Sequence, residues 1–594
     1  MAATRPKRAR HAPNRNFGGE DNDRALRQAL RLSVLQQKRP DVPIPEAPVL
    51  HPTPEEFSNK LRYMRWLRDH YGEYGIVKVV PPPGMEPRSK VEFTAGRFST
   101  KRQSVHRLQE GLPFEDGDRY NGAEYKAYAD GFTEQYLSQH RGLKAGGVQA
   151  VEEEFWRLVE TSAEEVVVDY ANDIGIDVTG TFFDPEGEAG AWDLNHMARS
   201  DCSALCSLEE INGVTRPWMY FGNLFTTFCW HTEDHFLYSA NYLHAGAPKT
   251  WYGIPEHAAR KFEAALGDFM PARLQENPDL IYQLITLVSP KFCKSRGVDV
   301  YHLVQTPGTY VVTFPRAYHA GFSHGWNSAE AVNFATLDWF PSGREAVEMY
   351  RSKRARRGAI FAHDKLLWTI AWSAVHRSSP AAASGEEPAP LELQGGISPE
   401  DWSMLHEEVA AMWEDEAKLR GWLRGHGMPE QATFSLCGQQ KMEEECAHCS
   451  GYSYLSVVRC KKHGKTTCLQ HAYADCDCEG DCKVLEVRVA DMYISEMVAM
   501  LRAKAKAEQK AAVQKAAVQR AQKASSALSA REGAKRLRPV KAEPGGAECA
   551  LCGLGGTKEE MLLCASCDHA YHRECQEHKS SDDIFVCQYC RAGQ

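Results

Sequence analysis

A chain of 594 residues, 43% of them hydrophobic and carrying a formal net charge of −9, is long enough for three or more domains and a large buried core. No apolar run approaches the ~18 residues of a membrane span, and the polar, basic start lacks the apolar centre of a secretory leader, which predicts an intracellular, soluble protein. Most of the 19 cysteines fall after residue 436 in C-x-x-C and C-x-x-H pairs, the pattern of zinc sites in a reducing compartment, so a disulfide framework is excluded.

In chain order, residues 1–42 open with Arg5-Pro6-Lys7-Arg8-Ala9-Arg10-His11, a basic cluster in a polar, disordered arm that reads either as a nuclear signal or as a solvated tail. Over 47–87, prolines bracket a helix started by Thr53-Pro54-Glu55-Glu56 and a strand from Gly75 to Val80, which Pro81-Pro82-Pro83 ends. Residues 88–150 read as helices joined by a polar connector. A larger domain follows over 151–343, starting at Val151–Val159.

Two stretches of that domain carry chemistry. Phe221–Pro255 places His231 and Glu233 on a run rich in aromatic and β-branched residues, read as a strand, where side chains two apart share a face. His319 lies 88 residues after His231, in a second strand-like run able to lie beside the first. Two imidazoles and a carboxylate on one side of a metal leave its other side open, as in the facial triad of non-haem Fe(II) oxygenases. Lys249, in an Ala-Pro-Lys-Thr-Trp turn, supplies a cation for a diacid. Phe228 and Trp251 offer flat walls, and Ser239 and Asn241 offer hydrogen-bonding groups.

The run FCWHTEDHFLYSANYLHAGAPKTWYGIP, Phe228 to Pro255, resembles the JmjC domain of the histone lysine demethylases. The resemblance implies a cupin-like double-stranded β-helix, a jelly roll of two facing sheets. It makes His231, Glu233 and His319 the Fe(II) ligands and Lys249 the principal 2-oxoglutarate cation. Tyr170, Phe228, Ser239, Asn241 and Trp251 become its neighbours, with O2 as the second cosubstrate. Tyr170 lies in Tyr-Ala-Asn-Asp where the family has Tyr-Gly-Ala-Asp. Residues 47–87 resemble the JmjN segment. Ala329-Glu330-Ala331-Val332-Asn333-Phe334 and Trp218-Met219-Tyr220 are similar to the branch acting on lysine 4 of histone H3, which implicates Tyr220, Ala331, Val332 and Asn333 in the methyl-lysine pocket. Phe182-Phe183 departs from that branch. His235 and His324 are not assigned to the iron and are read as packing residues or as supports behind its ligands.

Residues 344–430 read as helical, interrupted by a Pro/Ala/Ser/Glu-rich linker at 378–396. Four short Cys/His pairs over 437–488 make two complete zinc sites. They resemble the C5HC2 finger, implying Cys446, Cys449, Cys468 and His471 on one zinc and Cys460, His463, Cys476 and Cys478 on the other, with Cys482 or Cys437 as alternatives to His463. Over 490–541 an Ala/Lys/Gln-rich stretch with an AAVQK-AAVQR repeat favours a long basic helix, either a solvated tether or an arm touching DNA phosphates. Residues 547–592 resemble a PHD finger, with Cys549, Cys552, His572 and Cys575 on one zinc and Cys564, Cys567, Cys587 and Cys590 on the other. The fold expected is therefore mixed and multidomain, a jelly roll with helical support and small zinc-stabilised modules. The function implied is nuclear Fe(II)/2-oxoglutarate-dependent demethylation of the histone H3 tail on nucleosomes, at lysine 4. A different H3 lysine, a non-histone hydroxylation target and a catalytically silent chromatin scaffold stand as alternatives.

Overall fold

The computed structural model describes residues 43–184, 192–200, 203–276, 286–352, 358–376, 397–432, 443–474, 476, 478 and 482–535, side chains to 520, and the backbone of 561–563 and 570–572. The first strands in chain order are β1 (Val49–Leu50), β2 (Ile76–Val79), β3 (Phe98–Ser104), β4 (Glu115–Tyr120), β5 (Val167–Gly175) and β6 (Trp218–Gly222). There follow β7 (Thr227–His231), β8 (Tyr238–Gly246), β9 (Lys249–Ile254), β10 (Tyr301–Gln305), β11 (Tyr310–Thr313), β12 (Tyr318–Ser323) and β13 (Asn327–Phe334). Among the described residues they form a nine-stranded sheet in the order β1-β2-β11-β8-β13-β6-β5-β3-β4 and a four-stranded sheet in the order β10-β9-β12-β7. Together these are the two sheets of a jelly roll.

The N-terminal segment belongs to this body. Thr53 and Glu56 cap each other across the start of the helix Pro54–Ser58, satisfying backbone donors that a helix end leaves open. Phe57 then stacks on Trp192 at 4.3 Å between centroids, and the Trp192 indole donates to the Phe57 carbonyl. The next helix, Lys60–Tyr71, buries Leu61, Met64 and Leu67, spaced three apart so that one face meets the core. Gly75 turns the chain at φ +75°, and β2 enters the large sheet between β1 and β11.

Residues 88–150 differ from their reading as helices with a polar connector. The helix Gly122–Gln139 is present, but β3 and β4 extend the large sheet beyond β5. The buried positions of β3 are Phe98, Thr100 and Gln103, so two of the three are polar and the apolar alternation that marks a strand is missing. Their partners are in place: Thr100 donates to the Asp118 carbonyl, and the Gln103 amide bonds both backbone groups of Thr227, at 2.7 and 2.8 Å.

After the jelly roll, the helices Phe340–Arg351, His363–His376 and Pro399–Gly425 contribute to the main core, where Trp339, Trp368, Leu366, Leu405 and Val409 cluster. The Cys/His module supplies Tyr454 and Leu455 to that same cluster. Its strands are β14 (Glu430–Ala432), β15 (Glu444–Glu445), β16 (Tyr452–Ser453), β17 (Ser456–Cys460), β18 (Thr466–Thr467) and β19 (Lys483–Val487). They make one sheet in the order β14-β19-β17-β18 and a β15-β16 pair. Arg420, fully buried, ties the helix Pro399–Gly425 to the module by donating to the carbonyls of Leu455 and Val489 and pairing with Glu416 and Asp491. Such a guanidinium is stable in a core because four hydrogen bonds, two of them to carboxylates, take up its charge.

The chain divides into compact units at 1–510 and 511–594. The helix Asp491–Lys535 runs for 45 residues, in agreement with the composition of that stretch. No described helix is long and apolar enough to cross a membrane. The arm 1–42, the linker 378–396 and the side chains of the eight expected PHD zinc ligands, Cys549, Cys552, Cys564, Cys567, His572, Cys575, Cys587 and Cys590, lie outside the described residues.

Candidate active site and zinc centres

The small sheet brings the two histidines together. β12 runs antiparallel to β7 with His319 directly opposite His231, and the rings lie 4.1 Å apart between centroids. The strand ends at His231 itself. Glu233 sits two residues beyond in extended backbone, so the side chains still converge, with Glu233 Oε1 3.2 Å from His319 Nε2. Each ring has its Nδ1 against the carbonyl oxygen two residues earlier, Cys229 for His231 at 2.7 Å and Ala317 for His319 at 3.3 Å. That contact fixes the ring orientation and directs the Nε2 edges to a common point, as second-layer partners do in metal sites. Burial pushes the Glu233 carboxyl up, yet His319, His231 and the Asn333 amide hold it well below the usual carboxylate range. One donor atom from each of the three residues falls within 4.8 Å of the others, a set of two imidazoles and one carboxylate that fits Fe(II).

Beside this set lies a buried cation. Lys249, at the start of β9, is 2% exposed, and among the described residues no carboxylate pairs with its ammonium. Desolvation alone lowers its pKa to about 7. A charged group placed this way requires an anion from outside the chain, and a diacid supplies one. Phe228 and Trp251 meet at 4.5 Å, with Trp251 6.1 Å from His319. Gly321 makes room for them, since a Cβ there would lie 2.5 Å from the Phe228 ring.

The large sheet supplies the polar wall. Ser239 and Asn241 share one face of β8; Ser239 Oγ meets Thr313 Oγ1 at 2.6 Å, and Asn241 Oδ1 accepts from Gln305 Nε2 at 3.2 Å. Gln305, on β10 of the small sheet, also accepts from the Trp251 indole of neighbouring β9 at 2.9 Å, and its bond to Asn241 ties the small sheet to the large one. Tyr170 on β5 is buried and Tyr220 on β6 half-buried; desolvation raises both phenols, and Asp173 raises them further. Tyr220 donates to Asp173 at 3.1 Å, and Lys249 Nζ lies 5.9 Å from its ring centroid.

Ala331 and Asn333 lie on the face of β13 opposite to Val332, and Asn333 reaches Glu233 and the Tyr238 carbonyl. Val332 is placed differently from its expected pocket role. Strand alternation turns its side chain into the main core with Tyr238, Ala240 and Phe334. His235 stacks on Phe361 and accepts from the Ile360 N–H, and His324 bonds Thr250, so both pack away from the triad. Gln305 and Thr313 were not singled out in the sequence. Their only signal there is one polar residue closing an apolar strand, in HLVQ and YVVT.

In the Cys/His module, one donor set joins Cys446, Cys449, Cys468 and His471, and another joins Cys460, His463, Cys476 and Cys478. Cys468 Sγ lies 3.2 Å from His471 Nδ1, and the Cys460 and Cys478 sulfurs each lie 3.5 Å from His463 Nδ1. Ligand separations on a tetrahedral zinc are about 3.5–3.8 Å, so both sets fit Zn2+. His463 occupies the fourth corner of the second set. The alternative Cys482 is not in that set, and Cys437 lies outside the described residues.

A jelly roll with this triad and buried lysine is of the non-haem iron oxygenase class. Three family matches narrow it: a jmjN domain over 48–81, a JmjC domain, hydroxylase, over 218–334, and a C5HC2 zinc finger over 446–497. The chain thus carries a jmjN domain, a JmjC domain and a C5HC2 zinc finger in series, and it is similar over these to curated lysine demethylases. It is 36% identical to Lysine-specific demethylase JMJ703 of Oryza sativa subsp. japonica, over 73% of this chain and 39% of that protein. Identity is 31% to Putative lysine-specific demethylase JMJ16 of Arabidopsis thaliana, over 75% and 42%, and 34% to Lysine-specific demethylase 5D of Homo sapiens, over 73% and 27%. The chain thus spans less than half the length of these curated relatives. The family brings with it Fe(II), 2-oxoglutarate and O2 at the jelly roll and structural zinc in the finger.

Proposed function

We propose that the protein is a histone demethylase of the nucleus, acting on methylated lysine 4 of histone H3. The observation that carries this reading is the triad His231, Glu233 and His319 together with Lys249, a buried cation with which no carboxylate among the described residues pairs, because a scaffold has no physical need for a buried ammonium without an anion. When bound, Fe(II) with 2-oxoglutarate and O2 supplies an oxidant for N-methyl groups, yielding succinate, CO2 and formaldehyde. His231, Glu233 and His319 would hold the iron. Lys249 would take the far carboxylate of 2-oxoglutarate, with Tyr170, Ser239 and Asn241 as hydrogen-bonding neighbours. Phe228 and Trp251 would keep water from its chain, so that the lysine's charge acts in a dry site.

Asn333 holds Glu233 in place from the opposite sheet. Tyr220, fixed by Asp173, would line the passage for the methylammonium, where an aromatic face suits a poorly hydrated cation. Because attack falls on a methyl group, no nitrogen lone pair is required, and trimethyl-lysine is an allowed substrate. Lysine 4 is supported by the Ala329–Phe334 run, of which Ala331 and Asn333 share the face that reaches Glu233, and by Trp218-Met219-Tyr220 leading to the same wall. The relatives' names, lysine-specific demethylases, support the reaction.

The test is mass spectrometry of H3 peptides and nucleosomes methylated at lysine 4, 9 or 36, incubated with the protein, Fe(II), 2-oxoglutarate and ascorbate. Methylene-mass losses are expected from the lysine 4 substrates only, and from none with His231→Ala. Losses from another lysine would reassign the site. No loss despite bound iron and 2-oxoglutarate would sink the enzymatic reading.

A further inference from the structure

Along the helix Asp491–Lys535, the apolar positions Ile494, Met497, Leu501 and Ala505 recur every three or four residues and are buried in the main core. Past Ala505 none of the described side chains of this helix is buried. From Lys510 to Arg520 it reads K-AAVQ-K-AAVQ-R, without an acidic residue. Lys510, Lys515 and Arg520 are all exposed, as are Val513 and Val518. Among the described residues none of the three cations is in an ion pair.

The five-residue spacing sets the geometry. At about 100° per residue, cations five apart are turned by about 140° from one another, so the three are distributed around the helix over about 15 Å of its length. Lys510 and Arg520 come back to within about 80° of each other, so a flat anionic surface meets those two but leaves Lys515 on the far side. A partner with phosphates on both sides meets all three. The intervening residues are mostly alanine, which keeps the helix slim, and a helix of about 10–12 Å diameter matches the major groove of B-form DNA, about 12 Å wide between two phosphate-bearing walls. Nothing in the stretch offers the Arg, Asn or Gln pattern of a fixed base code beyond its two repeated glutamines.

We propose that the 510–520 segment docks lengthwise in the major groove of duplex DNA, holding phosphates on both walls with Lys510, Lys515 and Arg520 and selecting no base sequence. This inference is independent of the demethylase reading, since it is measured by binding alone.

The experiment is a salt titration of the full chain against two 30-base-pair duplexes of unrelated sequence, followed by fluorescence anisotropy. The wild type should bind both duplexes equally. K510Q/K515Q/R520Q preserves helix-forming residues and should lose about tenfold or more at 0.1 M salt, with the slope of log K against log salt shallower by about 2.7, or three phosphates at about 0.9 each. The decisive variant is Q514K/K515Q/V518K/R520Q, which keeps three cations but lines them up on one face with Lys510. It should bind DNA more weakly than wild type. Double-stranded RNA, whose major groove is too narrow to admit a helix, should also bind more weakly. Unchanged affinity in the neutral variant would leave a solvated tether. Equal binding by the one-face variant, or of RNA and DNA, would overturn the groove in favour of unspecific adsorption.

Discussion

At the scale of single residues, the site joins a liability to a function. Lys249 is stripped of water before any diacid arrives, and its pKa falls from 10.5 to about 7. Between those values the unfolded chain carries the proton and the folded chain does not, so this residue's contribution to stability becomes more favourable as pH rises from about 7 toward 10.5. Lys249→Met should therefore stabilise the ligand-free protein, by on the order of a few kcal/mol at or below pH 7, with the gain fading toward pH 10.5. The same variant should lose 2-oxoglutarate binding. Thermal melts across pH, paired with calorimetric titration of 2-oxoglutarate, check both halves; a variant less stable at pH 7 would refute the account.

Gln305 is the second residue to probe. Its buried amide bonds Trp251, Asn241 and the Thr309 carbonyl, so Gln305→Leu removes the partner of the Trp251 indole and of the Asn241 side chain, while the Thr309 carbonyl keeps the Leu243 N–H. A loss of about 1–3 kcal/mol and a raised KM for 2-oxoglutarate are expected, with iron affinity retained. The triad was legible in the sequence because its spacing and its aromatic surroundings are both unusual. Gln305 and Thr313 were not, because their role depends on which strand lies opposite, and register is a property of the folded sheets. Val332 shows the reverse error: a motif names consecutive residues, while a strand turns alternate ones to opposite faces.

At the scale of elements, the outline of each regular segment followed from local physics where that physics was strong. The capping pair Thr53 and Glu56 announced the first helix, and the alanine-rich stretch after residue 490 announced the last. β3 is not legible because two of its inward positions are the hydrogen-bonded Thr100 and Gln103, and β4 because none of its side chains is buried, so neither strand has an apolar period to read. Gly75 marks a demand that only glycine meets. Its φ is +75°, and a Cβ would lie 2.9 Å from the backbone of Ile254 and Pro255. Gly75→Ala is expected to cost about 1–3 kcal/mol through backbone strain and to lower the melting temperature, whereas the same change at exposed Gly421, with nothing near its Cβ position, should leave it nearly unmoved or raised.

At the scale of the whole molecule, the zinc module is part of the same body as the jelly roll. Tyr454 and Leu455 share one apolar cluster with Trp339 and Trp368, and Arg420 carries the junction with its buried guanidinium. Stripping zinc should therefore lower the melting temperature of the entire 43–510 body in a single transition and reduce turnover. Differential scanning calorimetry with a zinc-selective chelator, with iron resupplied for the activity assay, tests this; a separate low-temperature transition with activity intact would show the module to be autonomous.

The seat of β2 between β1 and β11 also bears on how the chain is made. Val77 pairs with Val312, a partner synthesised 235 residues later. At about 5–20 residues per second, the N-terminal strand emerges from the ribosome roughly 10–50 s before its neighbour exists. During that interval Ile76, Val77 and Val79, all fully buried in the finished sheet, have no native surface to cover them. Until residue 312 has been made, these side chains form an exposed apolar stretch of the kind that holding chaperones cover.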